Sequence, residues 1–237
     1  MALGFWIDMS RQQDRKLGTC VYCGGVGPIS RDHIPPRNLF AKPRPGNLIT
    51  VPSCRTCNEA ASKDDEYFRL VTAIRHDTAD HPDAAGVWSA AMESLQKPWK
   101  GGFRAAFLND AREVALHTRA GIYLGQAGVY DVDLERLNRV AARVVRGLFY
   151  HHSGRRIPNE YRVVAYCTTG IDSSQTEVVT QVQDMVNALL SGKPHIVGKG
   201  TFAYWYRFLE EDVHLSAWLL VFYKKISCNR SRGRKIP

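Results

Sequence analysis

Apolar positions recur with a helical period in some stretches of the chain and alternate in others. Between about residues 58 and 76, Tyr67, Leu70, Val71 and Ile74 fall on one side of a predicted helix. The segment Thr78-Ala79-Asp80-His81-Pro82-Asp83 breaks that pattern. A second helix is predicted over about residues 84–96, ended by Lys97-Pro98 and the pair Gly101-Gly102. Residues 112–132 show strand-like alternation interrupted by Gly121, Gly125 and Gly128. The longest signal starts at Asp133, which reads as the N-cap of a helix reaching about His152 and ending at Gly154. Leu134, Leu137, Val140, Ala141, Val144, Val145 and Leu148 follow its period. A strand over 161–169, a helix over about 173–190 and strands over about 195–209 and 215–227 complete the reading. Helices mixed with sequential strands, without a regular βαβ rhythm, predict an α+β fold.

Composition changes this picture little. The 237 residues suit one large domain or two small ones, and 44% apolar with 23% charged is ordinary for a soluble globular chain. No run of about 18 uncharged apolar residues occurs, which excludes a membrane-spanning helix. The start Met1-Ala2-Leu3-Gly4-Phe5-Trp6-Ile7-Asp8 lacks the basic-then-apolar pattern of a secretory signal, so a cytoplasmic location is expected. Charge adds more. Thirty-two Lys and Arg against twenty-three Asp and Glu leave a net charge of +9, which favours a polyanionic partner.

Four of the six cysteines form two pairs, Cys20-Val21-Tyr22-Cys23 and Cys54-Arg55-Thr56-Cys57, while Cys167 and Cys228 stand alone in apolar stretches and read as core. A two-residue spacer lets both thiolates of a turn face one tetrahedral centre, so the pairs predict a structural Zn²⁺ site. The thirty residues between the pairs exceed the spacing of common zinc ribbons, so something sizeable is looped out.

That loop contains Ser30-Arg31-Asp32-His33-Ile34-Pro35-Pro36 and Pro45-Gly46-Asn47-Leu48-Ile49, and Asn58 follows the second pair directly. In residue type and order it resembles the HNH endonuclease family: Cys-x-x-Cys, Asp-His before an apolar residue, Asn-Leu, Cys-x-x-Cys, then His or Asn. Ser62-Lys63-Asp64-Asp65-Glu66-Tyr67 also looks like one branch of that family. The resemblance covers roughly a quarter of the chain and implies a ββα-metal module. It implies a metal-dependent endonuclease hydrolysing DNA phosphodiesters, with a catalytic Mg²⁺ or Mn²⁺ distinct from the zinc. His33 is then the general base, Asp32 and Asn58 hold the catalytic cation, and Asn47 orients the catalytic loop. The chemistry suits these types, because a neutral imidazole takes a proton near physiological pH and Mg²⁺ prefers hard oxygen ligands. Taken singly, Asp32 and Asn47 also suit turns, and Asn58 suits a helix cap. An RNA-specific nuclease and a non-catalytic zinc-stapled nucleic-acid-binding module are the alternatives. His76 and His81 read as surface or helix-end residues, with a further ligand role open.

The expected division is a nuclease module over residues 1–76 and an α+β domain over 77–237, serving target recognition, partner binding or oligomerisation. Around the module, Arg31, Arg37, Lys42, Arg44, Arg55 and Lys63, with Arg11, Arg15 and Lys16, are candidate phosphate contacts. Arg136, Arg139, Arg143 and Arg146 form one stripe of the long helix, either a solvated face or a second track for nucleic acid. The C-terminal aromatics Phe202, Tyr204, Trp205, Tyr206, Phe208, Trp218, Phe222 and Tyr223 read mostly as strand core.

Overall fold

The computed structural model describes residues 16–75, 78, 81–109, 111–118, 120–165, 176–210, 212 and 214–223. Strands β1 (Leu17–Thr19) and β2 (Val26–Ile34) pair antiparallel on either side of the first cysteine pair. β2 then pairs antiparallel with β3 (Ile49–Cys54), with Ile29 opposite Cys54 and Ile34 opposite Ile49. β3 runs straight into α1 (Arg55–Ile74), and Cys54 caps the helix by accepting the Cys57 N–H on its sulfur. A hairpin feeding a helix without a linker is thus the local architecture around both cysteine pairs. Tyr67, Phe68, Leu70 and Val71 supply the buried face of α1, close to the face predicted from the period.

α2 (Pro82–Leu95) follows, with His81 capping it through Nδ1, which accepts the Asp83 N–H. His81 is buried in that role, and His76 lies outside the described residues. α3 (Gly101–Asn109) was not expected, because Gly101-Gly102 reads as a breaker and instead opens the helix. The alternating stretch becomes the hairpin β4 (Ala111–His117) and β5 (Tyr123–Tyr130), turned at Gly121, whose positive φ of 81° suits glycine. α4 (Leu134–Ser153) matches its prediction at both ends. Asp133 accepts the Arg136 N–H, and Gly154 takes the left-handed conformation that closes the helix.

Residues 161–165 are not a strand, and 166–169 lie outside the described residues, as do Cys167, Cys228 and the basic tail. α5 (Thr176–Leu190) precedes a second three-stranded antiparallel sheet, β6 (His195–Val197), β7 (Phe202–Phe208) and β8 (Ser216–Phe222). The single strand expected over 195–209 is split by a turn in which Gly198 and Gly200 have positive φ. β7 is buried on both faces, Phe202 and Tyr204 towards the main core and Ala203 and Trp205 towards Leu189 of α5. That explains why its aromatics run continuously instead of alternating with polar residues.

The fold is mixed α and β with small sheets. Its main core joins Ile34, Leu39, Phe40, Val51 and Phe68 to Leu137, Val140, Val144 and Leu148 of α4 and to Val197, Phe202 and Tyr223. Among the described residues, this core draws on side chains both before and after position 76. α4 packs tightly on β2 at Gly147, where a Cβ would stand 2.5 Å from Ile34 Cγ1. No helix among the described residues is long and apolar enough to cross a membrane.

Candidate functional site

The first cysteine pair sits in the turn between β1 and β2. Gly24 at a φ of 76° bends the chain there, its N–H bonding the Cys20 carbonyl at 2.9 Å. The second pair sits at the junction of β3 and α1, so helix capping fixes Cys54 and Cys57. The ligand sulfurs of Cys20, Cys23, Cys54 and Cys57 all lie within 4.8 Å of one another, with Cys23 and Cys54 at 3.9 Å. Zn–S bonds of about 2.3 Å in a tetrahedron place sulfurs about 3.8 Å apart, so the cluster can hold a metal such as zinc. Burial opposes ionisation of Cys20, but hydrogen bonds from the backbone of Cys23, Cys54 and Tyr22 outweigh it and draw its pKa down to about 6. Burial, followed by its cysteine neighbours, pushes Cys57 up. Four thiols this close ionise together only around a cation. Among the described residues, they are the only group of three or more His, Cys, Asp or Glu close enough to share an ion.

Asp32 and His33 are adjacent on β2 and therefore point to opposite faces. Asp32 faces α4, as Ile34 does two residues on. Its Oδ2 accepts the Tyr22 hydroxyl at 2.5 Å and the Arg143 guanidinium at 2.6 Å from Nη2 and 3.2 Å from Nε. The Arg143 and Asp32 side chains are only 13% and 10% exposed, so this ion pair is nearly shielded from water. Burial first, and then the Asp32 charge, push the Tyr22 phenol well above its ordinary pKa, so it stays protonated as a donor. Arg143 also donates to the Cys57 carbonyl at 2.6 Å and lies 4.3 Å from the centre of the Tyr22 ring. Asn58 is on the same side, its amide Nδ2 donating to Ser30 Oγ at 3.4 Å.

The structure thus brings Asp32 and Asn58 to one face, with a guanidinium between Asp32 and the start of α1. A divalent cation does not fit this arrangement. The expected pair offers one carboxylate, already paired with a cation, and one neutral amide oxygen.

His33 looks the other way, half-buried opposite Thr50. Burial, and then the nearby charge of Arg37, lower its pKa below the ordinary histidine value; Asp32 opposes this and Arg44 adds to it. The imidazole is therefore neutral at physiological pH. Arg31, two residues back on β2, shares its face, and Arg44 bonds the Arg37 carbonyl at 3.2 Å. Arg31, Arg37, Lys42, Arg44, Arg55 and Lys63 are all exposed, although Arg55 is paired with Glu59 at 2.6 Å. Asn47 is apart from these. Its amide donates to the Ile196 carbonyl at 3.2 Å and accepts the Gly198 N–H at 3.1 Å, tying the β2–β3 loop to the second sheet.

The arginine stripe of α4 is engaged within the chain, although Arg139 remains 55% exposed. Arg136 and Arg139 pair with Asp64 at 2.8 and 2.7 Å, Arg143 with Asp32, and Arg146 bonds the carbonyls of Ile157 and Tyr161. Tyr22 and the inward role of Arg143 are absent from the sequence-based site; the available signal was an arginine repeat in one helix and an acidic run, Asp64-Asp65-Glu66, in another. No family model matches the chain, and no curated protein or solved structure matches it either.

Proposed function

We propose that the chain is a zinc-stapled endonuclease of the HNH kind that hydrolyses nucleic-acid phosphodiesters, with His33 as general base. The observation that carries this reading is the half-buried imidazole of His33, beside Arg37 and Arg44, on a hairpin that feeds directly into a helix. The order of motifs between Cys20 and Asn58 supports it, and four cysteines frame that unit. His33 takes a proton from the attacking water, while Arg31, Arg37 and Arg44 bind and orient phosphates on the same face. Lys42 and Lys63 extend the basic surface with contacts that carry no sequence information. Zinc in the four-cysteine cluster contributes folding energy and no chemistry.

DNA is the first substrate to test, with RNA beside it. The purified chain is incubated with plasmid DNA and with a folded RNA, each in Mg²⁺, in Mn²⁺ and without added divalent cation. Cleavage of DNA under at least one condition is the expected result. Cutting of RNA alone would move the substrate, and cutting of neither would remove the enzyme reading. A second reading, a zinc-stapled module that binds nucleic acid without cutting it, is favoured by the pairing of Asp32 with Arg143. It predicts salt-dependent binding of both nucleic acids and no cleavage under any condition.

A further inference from the structure

We propose that Arg143 is the resident cation of the Asp32 carboxylate, and that a divalent cation enters the gap between Asp32 and Asn58 only when this guanidinium leaves it. The proposal rests on the HNH-type reading, whose sequence resemblance makes Asp32 and Asn58 the pair that would hold a metal. One guanidinium spans that pair's surroundings: Nη2 and Nε bind Asp32 Oδ2, and Nη1 binds the carbonyl of Cys57, the residue before Asn58. Tyr22 holds the assembly from the other side, its hydroxyl on the same oxygen of Asp32 and its ring against the guanidinium.

The fold keeps Arg143 there. Arg143 lies one helical turn before Gly147, where the missing Cβ lets α4 press onto Ile34 of β2. Arg136 and Arg139 anchor the preceding turns of α4 to Asp64 of α1. The guanidinium is therefore delivered by a helix fixed on both sides of it. A second cation placed on Asp32 would stand against a guanidinium that is only 13% exposed, with little water to screen the repulsion. Arginine stays charged at every working pH, so protonation offers no release.

Mn²⁺ is the probe, titrated into the full chain and read through paramagnetic broadening of the Tyr22 ring resonances, with no nucleic acid present. In the native protein, stoichiometric Mn²⁺ should leave Tyr22 sharp. Arg143→Gln should gain a site that broadens Tyr22, and adding Asp32→Asn to it should remove that site. If Arg143→Gln does not fold, Arg143→Lys replaces it. Lysine cannot bridge Asp32 and the Cys57 carbonyl as a fork does, so this variant should broaden Tyr22 at higher Mn²⁺. Native broadening at Tyr22 that Asp32→Asn abolishes would overturn the proposal and needs no other variant. A substituted protein as silent as the native one would overturn it too, because Arg143 would not be what excludes the ion. The readout is independent of cleavage, so a protein that cuts nothing still answers this question.

Discussion

His33 and Asp32 are neighbours in the sequence and belong to different environments in the fold. Strand alternation sends Asp32 to α4 and leaves His33 beside Arg37 and Arg44, where burial and positive charge favour its neutral form. A lowered pKa fixes the direction of two pH effects. The unfolded chain protonates this group below about pH 6.5, and the folded chain only lower still. The native state therefore loses the His33 contribution to stability as pH falls below about 6.5. Cleavage should stay level above that value and fall only beneath it, in a profile of kcat/KM against pH. An acid limb centred above pH 6.5 would mean that another group supplies the base. The four cysteines and the Asp-His pair were legible because their spacing is local. The Arg143–Asp32 contact was not, since 111 residues separate the partners and no periodic pattern records a pairing at that distance.

At the level of elements, α4 was the most legible, since its apolar period, its Asp133 cap and its Gly154 stop all agree. What the period does not carry is how closely α4 approaches its neighbours. Gly147 sits in the predicted helix with no apparent reason until β2 is packed against it, where a methyl group would overlap Ile34. Gly147→Ala should therefore destabilise the protein by about 1–3 kcal/mol, although alanine is the better helix former. Denaturant unfolding measures this; an unchanged or raised midpoint would mean that Ile34 moves aside freely. The strand expected over 195–209 passes over Gly198 and Gly200, which make a turn inside a sheet, whereas Gly101-Gly102, read as a break, begins a helix.

For the whole molecule, the sequence suggests a small module up to residue 76 and a separate remainder, because the helix that follows the motif is broken there. Among the described residues, one core holds side chains from both sides of that position. Phe68 and Val51 share a core with Val144, Phe202 and Tyr223, and Asn47 ties the β2–β3 loop to Ile196 and Gly198. Losing the metal cluster should thus be felt throughout the chain. Cys54→Ser removes a ligand and the sulfur that caps α1, so zinc should be lost and the chain should unfold as one unit at lower denaturant. Far-ultraviolet circular dichroism and Tyr or Trp fluorescence should report the same midpoint. Two separated transitions, or a protease-resistant piece beginning near residue 77, would show two domains despite the shared core.

On the function proposed above, His33 performs chemistry on a nucleic acid held by the basic face around it. The most direct measurement compares native protein and His33→Ala on one labelled DNA duplex, recording affinity and single-turnover cleavage in the same samples. Equal affinity is expected, with a cleavage rate reduced about 10²–10⁴-fold, since the proposed task of the imidazole is to move a proton and that of the arginines to hold phosphates. Equal cleavage by both proteins would contradict that function.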